Sequence, residues 1–403
     1  MPSVSVMADV LPLARPAHPP TYPVGEARLR VLVVAESFLP QVNGVTGSVR
    51  RVLDHLAAEG HQAEVVAPTG PDVYAGFRVR HARGATLPFY KDFKIGLETR
   101  RRLRRTMLRF APDVVHIASP ATLGYQAAKV ASELGIPSVA IYQTDLVGFA
   151  ERYDVPGGAA AMAALTRRIH TRVDRTLAPS SASLRQLADL DVPGTALWPR
   201  GVDLEQFRPD RRDPALRARL LGTDDRLLVG YVGRLAPEKE LELLTVLADD
   251  PRHALVVVGG GPEEQRLRAL LPRAHFLGVL HGDDLGAAYA SLDVFVHTGR
   301  HETYCQSAQE ALASGVPVVA PRQGGPVDVV DDGTTGFLYR PGDAADLASY
   351  VDVLHADPAR RRRMGMAARA AVADRSWRSV NEALIGHYRE AIAARAEWNA
   401  LPG

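Results

Sequence analysis

The stretch His301-Glu302-Thr303-Tyr304-Cys305-Gln306-Ser307-Ala308-Gln309-Glu310-Ala311-Leu312-Ala313-Ser314-Gly315-Val316-Pro317-Val318-Val319-Ala320 packs a loop, a helix and a strand into one short run. The apolar run Asp293-Val294-Phe295-Val296-His297 before it reads as a strand, and Val316-Pro317-Val318-Val319-Ala320 reads as the next one. One helix joins them, which is the crossover of a parallel sheet. Glu302 falls in the loop ahead of that helix, where unpaired backbone N–H groups and the helix dipole favour an anion such as a diphosphate. Glu310 falls about two turns into the helix, on the side facing a polyol bound above it.

Outward from this unit the same alternation recurs. Buried-strand runs lie at Leu29–Ala35, Ala63–Ala67, Asp113–Ile117, Ser138–Tyr142 and Arg175–Ala178. A second series comprises Leu227–Val232, Ala254–Val258, His275–Leu277, Asp293–Val296 and Val316–Ala320. Continuous apolar strands separated by helical text imply parallel sheets covered on both faces, hence an α/β protein with two doubly wound, Rossmann-like lobes. A length of 403 residues, 46% hydrophobic and 23% charged, fits two globular domains better than one. The expected division is a disordered leader over 1–28, an N-terminal domain over 29–198, a C-terminal domain over 199–376 and a last helix over 377–403. The connection is placed at Trp198-Pro199-Arg200-Gly201-Val202-Asp203.

The net charge of +2 gives no global electrostatic reason to expect nucleic acid as a partner. A lone cysteine, Cys305, allows no intrachain disulfide and no Cys-x-x-Cys site, in keeping with a reducing cytoplasm. No apolar run approaches the roughly 18 residues of a membrane span, and the expected location is cytoplasmic.

Ligands of open α/β sheets gather at the carboxyl ends of the strands, and the remaining motifs fall there. Phe38-Leu39-Pro40-Gln41-Val42-Asn43-Gly44-Val45 ends in a glycine that opens a helix and lets backbone approach a diphosphate, though a plain tight turn reads the same way. Gly230-Tyr231-Val232-Gly233-Arg234-Leu235-Ala236-Pro237-Glu238-Lys239 follows a strand with two cations, enough to neutralise a leaving diphosphate without a metal. Val258-Gly259-Gly260-Gly261-Pro262-Glu263-Glu264 lacks the third glycine of a dinucleotide fingerprint, and His301-Glu302 lacks the second histidine of a zinc helix. Asp283-Asp284 and Asp331-Asp332 are adjacent pairs that read as solvated turns or caps. No metal ligand set and no cofactor are expected.

The Glu302-x7-Glu310 arrangement, with Gly-Arg-x5-Lys at Gly233–Lys239 and the Asn43-Gly44-Val45 loop, resembles retaining glycosyltransferases of the GT-B fold, family 4. The resemblance covers roughly residues 30–395. It implies two Rossmann-like domains facing a cleft, with the C-terminal helix crossing back to the N-terminal domain. It implies that Glu302 contacts donor sugar hydroxyls and Glu310 the ribose hydroxyls. Backbone at Thr303, Tyr304, Cys305 and Gln306 would then hold the diphosphate, with Arg234 and Lys239 neutralising it. Gly44 and Gly260 would line the nucleotide, and the base would meet backbone near Phe276–Leu280, including Leu280. His116 would contact the transferred sugar or acceptor, while the family's frequent second histidine is Ala118 here. Asn43, Tyr142 and Asp145 would bind acceptor, with Gln143 replacing a family histidine. Cys305 stands where the family often has glycine, and Gly324-Gly325-Pro326-Val327-Asp328 with Gly336-Phe337-Leu338 would act as a shaping loop.

Leu87-Pro88-Phe89-Tyr90-Lys91, Val115–Pro120 and His297–Thr303 are most similar to GDP-mannose-dependent α-mannosyltransferases of actinobacteria. The expected activity is therefore transfer of mannose from GDP-mannose to a glycolipid or lipoglycan by a metal-independent front-face route. A UDP-glucose or UDP-hexosamine donor and a sugar-nucleotide epimerase of the same fold stay open as alternatives. Within Thr99–Phe110, Leu103, Met107 and Phe110 form an apolar stripe under a dense arginine face. That helix is either a solvated surface or a peripheral contact with the inner membrane leaflet through Arg100–Arg109.

Overall fold

The structure, a computed structural model, describes residues 28–400 apart from 42, 88, 89, 120, 144, 146, 147, 149–157, 223 and 224. The leader therefore lies outside the described residues but for its last position, as do Val42, Pro88, Phe89, Pro120 and Thr144 of the motifs above. The described residues form sixteen strands: β1 (Arg30–Val34), β2 (Gln62–Ala67), β3 (Val73–Tyr74), β4 (Phe77–His81), β5 (Gly84–Leu87), β6 (Tyr90–Gly96), β7 (Val114–Ile117), β8 (Ser138–Ile141), β9 (Arg175–Ala178), β10 (Thr195–Leu197), β11 (Leu227–Val232), β12 (His253–Val258), β13 (His275–Gly278), β14 (Val294–Val296), β15 (Val318–Pro321) and β16 (Gly336–Tyr339).

Two sheets hold the molecule. The first has eight strands in the order β10-β9-β8-β7-β1-β2-β4-β3, parallel except for the edge pair β3–β4. The second has six, β13-β12-β11-β14-β15-β16, all parallel. Every residue of β11 and β12 is buried, as the unbroken apolar runs require of strands covered on both faces. Each sheet carries one apolar cluster on either side, built on Val31, Val33 and Val65 against Leu32, Val34 and Val115 in the first, and on Val256 and Phe295 against Val229 and Val257 in the second. Each fully buried side chain of this kind contributes about 1.5–3 kcal/mol relative to exposure.

Every strand anticipated in both series is present. The sequence reading missed β3, β4, the β5–β6 hairpin and β10, which are short, polar or at an edge. Gly336-Phe337-Leu338, expected to be a shaping loop, is instead strand β16, paired in parallel with β15. A Cβ at Gly336 would lie 1.9 Å from the Val318 carbonyl oxygen, so the glycine is what lets the edge strand close on the sheet.

The last helix, Trp377–Ala400, buries Val380, Leu384, Tyr388 and Ala391 in the cluster of the first sheet. Its return is pinned by hydrogen bonds from Trp198 Nε1 to the Val380 carbonyl (2.9 Å) and from Asn381 Nδ2 to the Arg51 carbonyl (2.9 Å). No helix among the described residues is long and apolar enough to cross a membrane.

Candidate active site

β11 ends in a tight turn that leads to Lys239, and β14 is followed directly by His297. These loops are zipped together: Thr298 Oγ1 donates to the Lys239 carbonyl, and a Cβ at Gly299 would stand 3.3 Å from the Glu238 carbonyl oxygen. The contact brings Lys239 Nζ onto Glu302 Oε1, and His297 Nε2 lies 3.3 Å from the same oxygen. Tyr231 stacks on His297 from below with ring centroids 6.2 Å apart. The Glu302 side chain is 19% exposed, so its charge is costly unless matched. Burial opposes ionisation, but the Lys239 ammonium and the His297 ring hold the carboxyl well below the usual carboxylate range. Burial lowers the His297 ring, yet the Cys305 sulfur and the Glu302 carboxylate more than offset it and raise the ring to about 10.

The helix Gln306–Ala313 starts beside this cluster. Cys305, its N-cap, sits in the left-handed region at φ 81° and makes no side-chain cap. Glycine adopts that conformation without strain, which accounts for the family's preference there. With no side chain capping them, the first-turn N–H groups face a position suited to an anion. Two turns on, Glu310 Oε2 accepts a hydrogen bond from Tyr289 (3.0 Å). Burial raises its carboxyl to about 7, against hydrogen bonds from Tyr289 and Gln306.

The Gly-rich turn lies against the Arg234 turn by backbone alone. A Cβ on Gly259, which has φ 130°, would be 1.9 Å from the Gly233 carbonyl oxygen, and one on Gly261 would be 2.2 Å from that of Leu235. Arg234 is exposed between them. Gly260 is half-buried below Val279, which is 61% exposed, and Leu280 packs on the core of the second sheet. Val279 and Leu280 form an apolar shelf with no polar side chain to read a base.

On the other lobe, Asn43 caps the helix Gly44–Ala58, its Oδ1 accepting from Thr46 N (2.9 Å) and its Nδ2 donating to Ser37 Oγ (2.7 Å). Asp145 Oδ1 accepts from Gly148 N (2.9 Å), and its Oδ2 accepts from Gln186 Nε2 (3.3 Å), so it caps its own loop. Tyr142 is 3% exposed and buries its ring with Ala178, Leu187 and Val192, edge-on to His170.

His116 lies on β7. It is 1% exposed, and its Nδ1 lies 2.8 Å from the Tyr388 hydroxyl of the last helix. Burial pushes its ring down to about 3, so it is neutral. His116 alternates with Val115 and Ile117 along β7 and faces the returning helix, which buries its ring against Tyr388.

The lobes meet at the Glu302–Glu310 loop. Thr303 Oγ1 donates to the Gln143 carbonyl (3.2 Å), Ser183 Oγ donates to the Thr303 carbonyl (3.4 Å), and Asp328 Oδ2 accepts from Ser181 N (2.8 Å). Glu302, Thr303, Tyr304, Cys305, Gln306, Glu310 and Lys239 are thus brought together, with Gly44 reached through Arg200. Sequence reasoning missed His297, Tyr289 and Arg200 as site neighbours. His297 and Arg200 lie inside quoted motifs, but a residue ending a strand and one inside a linker carry no spacing signal.

Among the described residues one group has metal-ligand proximity, Asp250, His253 and Asp352. It lies at the opening residue of β12, the far end of the sheet from the cleft, and Arg252 bridges its two carboxylates at 2.5 and 2.7 Å.

The models of Glycosyltransferase Family 4 and of Glycosyl transferases group 1 match residues 42–206 and 213–371 respectively. The GDP-mannose-dependent alpha-mannosyltransferase of Mycolicibacterium smegmatis is 48% identical, covering 91% of this chain and 99% of that protein. The protein of the same name from Corynebacterium glutamicum is 42% identical over 91% of this chain and 90% of that one. Among solved structures, sucrose-phosphate synthase from Thermosynechococcus elongatus superposes with a TM-score of 0.74 at 22% identity, covering 91% of this chain and 100% of that one. That likeness carries the bilobal GT-B fold alone. Identity approaching one half along nearly all of both chains carries more: this protein belongs to glycosyltransferase family 4.

Proposed function

We propose that this protein transfers mannose from GDP-mannose, with retention, to a lipid-linked or glycan acceptor. The donor reading rests on the 48% identity, along nearly the whole chain, to a GDP-mannose-dependent alpha-mannosyltransferase. The mechanistic reading rests on one observation above all, the carboxylate of Glu302 held between Lys239 and His297 at the start of the Gln306–Ala313 helix.

A carboxylate held that far below its usual range is a poor nucleophile and a poor base, which disfavours a covalent glycosyl-enzyme. It is well suited to accept hydrogen bonds from sugar hydroxyls. The helix N-terminus, Arg234 and Lys239 stabilise the charge that develops on the departing diphosphate. In the front-face route the bond from the anomeric carbon to the phosphate oxygen breaks, and the acceptor oxygen bonds to the same face. The released phosphate oxygen takes the acceptor's proton. Glu310 accepts the ribose hydroxyls, and the backbone around Gly260 and Leu280 meets the base. Asn43 and the loop at Gly44 border the acceptor and diphosphate, while Tyr142 and Asp145 shape the loop that carries it. We place the domain division at 198/199 and 376/377, with the cleft between the two sheets and the last helix bracing the first.

The acceptor side has its own support. In the helix Arg100–Phe110 only Leu103 and Met107 are buried. Arg100, Arg102 and Arg109 pair with Glu133, Glu98 and Glu64, whereas Arg101, Arg104 and Arg105 line an open groove with Leu108, which is 59% exposed. Arginines with no acidic partner among the described residues, set around an exposed leucine, suit the inner leaflet of an anionic membrane, where a lipid acceptor resides.

The test is nucleoside diphosphate release from a panel of GDP- and UDP-sugars, with and without membrane lipid extract, beside Glu302→Gln. GDP release from GDP-mannose that needs lipid and is lost in the variant is the expected result. Release from a UDP-sugar alone refutes the donor, and conversion of the donor with no acceptor present refutes transfer in favour of epimerisation.

A further inference from the structure

Arg200 lies in the linker between the lobes and is 9% exposed. Its backbone belongs to the second lobe: the Arg200 carbonyl accepts hydrogen bonds from Gln309 Nε2 (2.9 Å) and the Tyr304 hydroxyl (3.4 Å), and the Gly201 carbonyl accepts from Gln306 Nε2 (3.0 Å). All three donors are on, or one residue before the cap of, the helix Gln306–Ala313. Its head belongs to the first lobe. Nη1 donates to the Gly44 carbonyl (2.9 Å), and Nη2 donates to Gln143 Oε1 (2.6 Å), while Gln143 Nε2 donates in turn to the Ala118 carbonyl (2.6 Å). A Cβ on Gly44 would stand 3.5 Å from the guanidinium. Arg200 therefore spans the N-termini of the two helices that border the diphosphate position.

Its charge has no paired carboxylate among the described residues. Both of its acceptors, the Gly44 carbonyl and Gln143 Oε1, are neutral, and among the described residues no carboxylate lies within the 4.0 Å of an ion pair. Glu302 acts on it only across a distance and is itself shared by Lys239 and His297. Burial pushes the guanidinium down to about 10, which leaves it charged at neutral pH. A buried unpaired cation costs several kcal/mol, and the helix dipoles on either side add to that cost. A neutral amide would make the same two hydrogen bonds without it. The charge is therefore explained by an anion that is present only when the site is filled.

We infer that Arg200 is a third cation of the nucleoside diphosphate site, supplied by the linker and acting together with Arg234 and Lys239. The inference rests on the donor reading proposed above and assigns the diphosphate, not the sugar or the base, as the part recognised. Because its head is fixed by the Gly44 loop, the positive field is complete only when the lobes are apposed.

Calorimetric titration of the full-length chain with GDP and with guanosine separates charge recognition from scaffold damage. Arg200→Met should weaken GDP about 10–100-fold and leave guanosine within about 3-fold, while Arg200→Lys keeps GDP within about 5-fold. Titrations run below the melting temperature of each variant, followed by circular dichroism. Unchanged GDP affinity in Arg200→Met overturns the inference, as does an equal loss of GDP and guanosine, which marks a structural tie. If the wild type binds UDP and uridine in place of GDP and guanosine, the donor reading alone fails. The UDP and uridine pair then decides Arg200 by the same criteria.

Discussion

Replacing Glu310 with glutamine should stabilise the protein at alkaline pH while weakening donor binding. Burial raises the Glu310 carboxyl from 4.5 to about 7. The unfolded chain ionises near the ordinary value, so between those two points the folded form holds the extra proton. Below pH about 4.5 both states are protonated and Glu310 contributes nothing. Stability then falls as pH rises, and above about 7 the penalty is complete. The difference, 7 − 4.5 = 2.5 units at roughly 1.4 kcal/mol each, sets an upper bound of about 3 kcal/mol. Glutamine keeps an oxygen to accept the 3.0 Å hydrogen bond from Tyr289 and carries no charge to desolvate. Urea unfolding of wild type and Glu310→Gln should therefore coincide near pH 5 and diverge toward pH 8.5, the variant gaining about 2–3 kcal/mol. In a thermal scan each kcal/mol corresponds to about 2–4 °C for a lobe of this size. The same variant should raise the donor KM about 10-fold or more, since one neutral acceptor replaces two charged ones for the ribose hydroxyls. A stability difference that does not vary with pH, or a wild type that is the more stable form at pH 8.5, would refute the reasoning.

Glu302→Gln leaves Lys239 and His297 without their anion and should cost about 3–5 kcal/mol of stability together with at least a 100-fold loss of nucleoside diphosphate release. The loss is read by melting temperature and initial rate, and unchanged turnover would remove Glu302 from the site. The wild-type carboxylate contributes stability above its unfolded pKa that is lost as pH falls, because its folded value is depressed. His116→Ala removes the partner of the Tyr388 hydroxyl in the core and should lower stability by about 1–3 kcal/mol while turnover, assayed below the melt, changes less than 3-fold. A 100-fold loss of turnover with an unchanged melt would instead put His116 on the substrate. Replacing Arg101, Arg104 and Arg105 with serine should cut sedimentation with anionic vesicles about 100-fold, at roughly 1 kcal/mol each, and leave soluble GDP release alone. Undiminished sedimentation would sink the membrane contact.

The two sheets were legible because a strand buried on both faces must be apolar throughout, as in Leu227-Leu228-Val229-Gly230-Tyr231-Val232. Strands β3, β4 and β10 were not, since the edge strands β3 and β10 and the strand β4 beside that edge are short and carry polar residues without an apolar run. The Glu302–Glu310 helix was legible from local spacing, and so was the proximity of the Gly-rich turn to Arg234 from its position after the adjacent strand. His116 shows the opposite case. Its place at the end of β7 is a sequence fact, but whether its ring meets sugar or core depends on which face the last helix covers.

The sequence by itself determined the strand–helix alternation, the placing of the cations and carboxylates at the carboxyl ends of the strands, and the family. Those follow from periodicity and short-range spacing, which a linear text preserves. The tertiary structure alone decided that His297 joins Lys239 on Glu302, that Tyr388 takes His116 into the core, and that Arg200 carries its charge from one lobe to the other. The contacts Lys239–Glu302, His116–Tyr388 and Arg200–Gly44 join residues 63, 272 and 156 apart in sequence, and their energy comes from burial that no local pattern records.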